Sequence, residues 1–228
     1  MRHLLASALV LAIPVAHGAD PKPLTAHYVV LRDGKPAGDA TYSVIANDDG
    51  TWTLRIETKG SAGMAKLLGL DVQEESTFRW QGGHAQGIHY RYKQSASIKH
   101  KERTIDFDTA AHRAHVDDNG KNFSYETPPN TIDRSTVALV LGLTLADGAH
   151  ETTLPVGVRD HVEQQHYEAR GNEAIDVPAG HFQATRIERT DLPGKATSWY
   201  APTVSALPLR MEQAQGDGSK IVIELKQR

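Results

Sequence analysis

The chain has 228 residues, with 25 Lys+Arg against 28 Asp+Glu, 12 His, no Cys and a formal charge of −3. Without cysteine there can be no disulfide scaffold, thiolate metal site, cysteine nucleophile or lipid anchor on an N-terminal cysteine, and the mild acidity argues against a dedicated nucleic-acid binder. A composition 39% hydrophobic and 23% charged is that of a folded globular protein, too apolar for disorder.

Residues 1–18 read as a secretory signal: Arg2 gives the positive start, Leu4 to Val15 the apolar run, and Ala16-His17-Gly18 the small residues of a cleavage site. The run is too short to cross a bilayer, which takes about 20 apolar residues. Asp20-Pro21-Lys22-Pro23 would stop a helix at once. Cleavage removes one arginine and no acid, leaving 210 residues and a charge of −4. The expected product is periplasmic, released through a cleavable signal and not a lipoprotein, with one domain over residues 19–228. No later segment reaches spanning length, so no transmembrane segment is expected.

The mature chain is punctuated by turn pairs: Asp33-Gly34, Asp49-Gly50, Gly82-Gly83, Asn119-Gly120, Pro193-Gly194 and Asp217-Gly218. Between them the apolar period is two. In Thr51-Trp52-Thr53-Leu54-Arg55-Ile56-Glu57 every even position is apolar, and Ile88, Tyr90 and Tyr92 alternate with His89, Arg91 and Lys93. Such alternation predicts antiparallel strands with one face on a core and one in water. Residues 63–70, Gly-bounded and carrying Met64, Leu67, Leu68 and Leu70, predict a short helical turn or apolar loop. From Asp133 to Ala146 the chain is apolar on all sides, which predicts a buried helix capped by Asp133 or Ser135. The expected fold is all-β and mainly antiparallel: ten to thirteen strands in a strongly curved sheet, open β-barrel or β-sandwich with that helix inside.

Several blocks together resemble the DUF3108 family, exported bacterial proteins of undetermined function. They are Asp33-Gly34-Lys35-Pro36-Ala37-Gly38 with Tyr42, Asp133-Arg134-Ser135 before the apolar helix, and Val177-Pro178-Ala179-Gly180-His181-Phe182. Arg186-Ile187-Glu188, Trp199-Tyr200-Ala201-Pro202 and Leu207-Pro208-Leu209-Arg210 complete the set. His181 and Ser198 depart from the family's habit. The resemblance implies a Gram-negative periplasmic or envelope location and an antiparallel β fold, and it implies no catalytic residues.

Catalytic signatures are absent from the sequence. There is no nucleophile elbow, phosphate loop or dinucleotide fingerprint. Glu74-Glu75 and Asp117-Asp118 should face opposite sides of their strands. His112-x-x-His115 and His161-x4-His166 have spacings that diverge on a strand, so neither a metal nor another cofactor is expected.

Two features suggest binding. His89, Arg91, Lys93, Lys99, His100, Lys101 and Arg103 concentrate positive charge on one hairpin, which would suit anionic head groups. The 63–70 segment could act as a lid or membrane-touching element. The reading is therefore a non-enzymatic binding module for a lipid or other amphiphilic or anionic envelope component. Met64, Leu67, Leu68 and Leu70 would form the lid, Tyr90 and Tyr92 the lining, and Arg91, Lys93 and Lys101 the head-group contacts. The alternative is a scaffold that binds another envelope protein through a strand edge or the basic hairpin; an envelope glycan or lipid hydrolase ranks below both.

Overall fold

The computed structural model describes residues 19–228, apart from Ile98 and the side chain of Lys99. The predicted signal at 1–18 lies outside the described residues, as does the Lys99 side chain expected on the basic hairpin. Within them a single sheet is built from β1 (Leu24–Arg32), β2 (Lys35–Ala46), β3 (Trp52–Gly60), β4 (Asp71–Gln81) and β5 (His84–Ala96). It continues through β6 (Lys99–Asp108), β7 (Arg113–Asp118), β8 (Lys121–Glu126), β9 (Ile132–Asp133) and β10 (Glu151–Gly157). The remaining strands are β11 (Val162–Val177), β12 (Gly180–Arg189), β13 (Ala196–Tyr200), β14 (Arg210–Ala214) and β15 (Lys220–Gln227). The two helices described are α1 (Gly63–Leu67) and α2 (Val137–Ala146).

Neighbours in sequence are neighbours in the sheet. The order runs from β8 back to β1, crosses to β15, and returns to β9, so the chain ends pair in the middle through β1 and β15. All pairs are antiparallel except β9 with β10. The 15 strands exceed the expected number. The excess comes from pieces too short to show a period, notably the two-residue β9 and the five-residue β13 and β14.

The hairpin turns are those that Gly and Asx specify. Asp33 and Gly34 have φ of 50° and 73°, and Asn119 and Gly120 56° and 81°, the paired left-handed conformation that matches strand twist.

The sheet curls because its edges are tied. Residues 127–131 join edge strand β8 to edge strand β9, and such a segment reaches at most about 20 Å. The Gly87 N–H donates to the Thr131 carbonyl at 2.9 Å, and the Tyr125 hydroxyl to the Val158 carbonyl at 2.7 Å. The two edges therefore come near each other, yet β8 and β9 do not pair, and the barrel-like sheet stays open.

Helix α2 fills the concave face, as an all-round apolar helix must. Val137, Leu139, Val140, Leu141, Gly142 and Leu143 are buried. Tyr200 donates to the Ala138 carbonyl at 2.9 Å. Gly142 lies so close to the loop before β14 that a Cβ there would sit 1.8 Å from the Ala206 oxygen. This main core joins Tyr28, Leu54, Phe78, Leu139, Tyr200 and Leu225, while a smaller core on β5–β7 holds Tyr90, Ile105, Phe107, Ala114 and Val116.

The helix begins later than its sequence signals suggest. Thr136 is the N-cap, without a side-chain capping bond. Ile132-Asp133 is drawn into β9, so the Asp133 carboxylate instead accepts the Ser135 and Thr136 N–H groups at 2.8 and 3.2 Å in the preceding turn.

Candidate functional site

Strand alternation sorts the basic hairpin into two sets. On β5 the buried Tyr90 and half-buried Tyr92 face inward, whereas Arg91 and Lys93 face outward. On β6 Lys101 and Arg103 share the inward face of Ile105 and Phe107. The outward charges are largely paired: Arg91 binds Glu102 at 2.6 Å and His89 binds Asp106 at 2.7 Å. Lys93 lines a shallow outer pocket of about 150 Å³ with Arg55, Glu57 and Glu75. Alternation thus puts Arg91 and Lys93 on the opposite face from Lys101, although all three were expected to hold one head group; Lys93 and Lys101 share a cavity only at the hairpin end.

The inward set meets a residue the sequence singled out only for its place in the family pattern. The Arg134 guanidinium lies 4.8 Å from the centre of the Tyr92 ring, and the Lys101 ammonium 5.8 Å from the same ring. Arg134 donates to Glu74 Oε2 through Nε at 3.1 Å and Nη2 at 2.9 Å, and to the Tyr90 hydroxyl at 2.9 Å. Tyr90 and Ser135 hydroxyls donate to the same Glu74 oxygen, each at 2.6 Å. Burial pushes the Glu74 carboxyl up, but the Arg134 charge and the bonds from Ser135, Tyr90 and Arg134 overcome it and hold the group below the usual carboxylate range. Glu75 turns outward to Arg55, as alternation requires.

Beneath this ion pair lies Asp133. It is fully buried and accepts from Ser76 at 2.7 Å and from the Thr136 hydroxyl at 2.8 Å, besides two backbone N–H groups. Burial raises its pKa, and the bonds from Ser76, Thr136 and Ser135 offset that only in part. One turn thus carries a buried carboxyl at Asp133 and, beside it, a half-exposed guanidinium at Arg134, whose side chain is 51% exposed.

Further along the inward face, Asp118 is gripped by Arg103 at 3.1 Å and Arg159 at 2.8 Å. Arg159 also lies 4.8 Å from the Phe123 ring centre. Burial works against the Asp118 anion, but the Arg103 bond and the charges of Arg103, Lys101 and Arg159 hold its pKa down. Four cations, Lys101, Arg103, Arg134 and Arg159, therefore gather around two inward carboxylates, Glu74 and Asp118, beside the rings of Tyr92 and Phe123. A cavity of about 520 Å³ opens at the hairpin end, lined by Lys93, Ser95, His100, Glu102, Thr104 and Asp117 of the outward face together with Gln94 and Lys101.

The apolar loop adjoins that end. Helix α1 is one short turn with Met64 65% and Leu67 74% exposed, while Leu68 and Leu70 are half-buried. The Leu68 carbonyl accepts both the N–H and the hydroxyl of Ser97, each at 2.9 Å, which ties the loop to the tip of the β5–β6 hairpin. Exposed Lys59, Lys66 and Lys93 lie on the elements around it. The expected lid residues therefore divide, two outward to solvent and two inward as anchors.

Two of the histidines that drew attention in the sequence serve local bonds. His161 binds Asp160 at 2.7 Å and His166 binds the Thr153 hydroxyl at 2.8 Å. Among the described residues no three His, Asp or Glu side chains form a group able to hold a metal ion, and no helix is long and apolar enough to cross a membrane.

Comparison with known proteins gives a fold and a family. No curated protein matches the chain. A crystal structure of a β-barrel-like protein of domain of unknown function DUF1849 from Brucella abortus is similar at a TM-score of 0.51 and 12% identity, covering 89% of this chain and 96% of that one. At that identity the likeness is one of fold. The model of the DUF3108 family, described as a protein of unknown function, matches residues 23–226, nearly the whole chain, and the protein belongs to that family.

Proposed function

We propose that this protein is an exported, periplasmic module that binds an anionic amphiphile or an anionic lipid surface through the α1 tip and the cationic inward face of β5 and β6. The observation that carries the reading is the joining of Met64 and Leu67 to the basic hairpin through Leu68 and Ser97. Two large apolar side chains held in water beside lysines suit a surface that is apolar within and anionic at its rim. Because α2 fills the concave face, the ligand is met at the open end of the sheet and not swallowed by it. Arg134 and Lys101, stacked on Tyr92, are the head-group cations best placed on that inward face. Arg91 and Lys93, on the outward face, add only to the general positive field.

Burying one such side chain is worth about 2 kcal/mol, and each lysine near an anionic surface about 1 kcal/mol. Co-sedimentation with phosphatidylglycerol-containing vesicles, against pure phosphatidylcholine, is the test. Binding to the anionic vesicles that falls about 30-fold in Leu67→Asp, with an unchanged circular dichroism spectrum, is expected. Equal binding of wild type and Leu67→Asp, or no preference for anionic vesicles, would sink the proposal.

A further inference from the structure

A second opening lies away from α1, in the seam where the sheet fails to close. It measures about 950 Å³ and runs between Thr152–Pro155 of β10 and Gly82–Ala85 of the β4–β5 turn. Ile132 and Val140 contribute apolar surface to it, and Asp20 and Asp147 acidic groups. One wall is an unpaired strand edge, and its polarity follows from the register. His150 pairs with Ala169, whose N–H donates to the His150 carbonyl at 2.7 Å, and Val158 donates to His161 at the other end. Hydrogen-bonded pairs alternate along an antiparallel ladder, so even-numbered residues of β10 bond to β11 and odd-numbered ones face away.

Of those odd positions, β9 reaches Gly157 and the carbonyl of Pro155, through the parallel register Val156↔Ile132 and Gly157↔Asp133. Ahead of β9 the chain leaves β10 for β5, where the Thr131 carbonyl takes the Gly87 N–H. The N–H groups and carbonyls of Glu151 and Thr153 thus face the seam with no ladder partner among the described residues. Pro155 fits this placement, because its missing N–H falls on the open side. Thr152 and Leu154 turn their side chains inward on the same strand.

We infer that this seam takes an extended peptide segment of a partner protein, added to β10 in line with β9. The row of alternating donors and acceptors matches a peptide main chain and not an acyl chain, which can satisfy none of them. The charge of the groove selects the side chains. No Lys or Arg lines it. Asp20, Asp147 and Glu151 have no ion-pair partner among the described residues; Asp20 accepts only the Trp80 indole N–H at 3.0 Å, and Asp147 the Ala19 N–H. Helix α2 also ends at Asp147 without a basic residue in its last turn, which adds the negative end of its dipole. If processing after Gly18 leaves an amine at Ala19, Asp147 is taken up by it, and Asp20 and Glu151 remain. The segment is therefore cationic, with apolar residues at alternate positions facing Leu154 and Val140. This inference does not rest on the amphiphile reading, since the two surfaces share no residue.

The probe is acetyl-Lys-Val-Lys-Val-Lys-Val-amide titrated into the purified protein, read by amide hydrogen exchange in nuclear magnetic resonance spectra. Saturation should slow exchange of the Glu151 and Thr153 amides at least roughly tenfold, with little change at Thr152 and Leu154, which already bond to β11. Thr153→Pro removes one open-side donor while leaving the β11 ladder intact, and should weaken the peptide while the rest of the spectrum persists. Unchanged exchange at Glu151 and Thr153 with saturating peptide would overturn the inference. So would equal affinity for the Glu-for-Lys peptide, or sodium laurate displacing the peptide by filling the groove without protecting either amide.

Discussion

The seat of α2 can be tested at a single atom. Gly142 faces the Ala206 peptide, and a Cβ built there lies 1.8 Å from its oxygen, 2.7 Å from its carbon and 3.2 Å from its Cα. These are backbone atoms, so no rotamer change relieves the overlap. Ordinary contact requires α2 or the Ala206 loop to shift by about 1.5 Å, which loosens the core that holds Leu139, Leu143, Leu207 and Leu209, all of them buried. Overpacking of this kind costs about 1–3 kcal/mol and at times more. Alanine offsets about 1 kcal/mol through its better helix propensity. The net expectation for Gly142→Ala is a loss of about 2 kcal/mol, the upper end of that range less the propensity gain, read as a lower urea midpoint at unchanged slope. Ala146→Gly, at the exposed end of the same helix, isolates the propensity term and should cost about 1 kcal/mol. If Gly142→Ala is neutral or stabilising, the helix does not sit against residues 206–209, and the filled concave face assumed above is wrong.

The carboxyls at the head of α2 make opposite pH predictions. Glu74, held low in the folded state, adds stability that is present above its unfolded pKa of about 4.3 and is lost as pH falls through the lower folded value. The advantage of wild type over Glu74→Gln, about 2 kcal/mol at pH 7 for bonds to a charged carboxylate, should shrink below pH ~4. Asp133, held high, contributes most below its unfolded pKa of about 3.9 and loses that contribution as pH rises through the folded value. Asp133→Asn should therefore gain on wild type as pH rises above about 4 in urea titrations; a wild-type advantage that grows with pH would contradict the assignment. Arg134→Met should reduce selectivity for anionic over neutral vesicles while leaving the contact of Leu67 in place, and unchanged selectivity would remove Arg134 from the head-group site. Processing after Gly18 would set the Ala19 amine on Asp147, so Asp147→Asn should cost the exported protein about 1 kcal/mol. A mature mass that does not begin at Ala19 would refute that pairing.

Much of the fold was legible because it is local. Each hairpin is written in a turn pair and a two-residue period, and the chain visits its sheet neighbours in order, so nearest-neighbour reading yields the meander. The apolar run from Val137 to Leu145 could only be buried, and the one place for it is inside the curl. What the sequence hid were elements that tertiary contacts create. β9 exists because Ile132-Asp133 meets β10 in parallel, and that pairing displaces the helix start from the capping residues to Val137. The β1–β15 pairing joins segments almost 200 residues apart, and no local pattern announces it.

The site was less legible, and the reason is the same period of two that made the strands visible. Counting basic residues along 89–103 treats the hairpin as one surface, but alternation sends Arg91 and Lys93 to one face and Lys101 and Arg103 to the other. Applied to charge as strictly as it was to apolar residues, the same rule would have divided the cluster in advance. Arg134 needed more. It lies 42 residues beyond Tyr92 and reaches that ring because the turn before α2 packs under β4 and β5, with Ser76 and Glu74 as its anchors. Its signal in the sequence was a charged pair, Asp133-Arg134, placed directly before a wholly apolar helix. Within the fold that position is narrow: the helix is pulled inward by burial, so the residues at its head are fixed at the boundary between core and water. A carboxyl on the inner side of that boundary must be hydrogen-bonded throughout, as Asp133 is, while a guanidinium on the outer side keeps part of its donor set toward solvent. The burial of α2 thereby fixes Arg134 on the inward face beside Tyr92 and Lys101, which is the placement the proposed head-group contact requires.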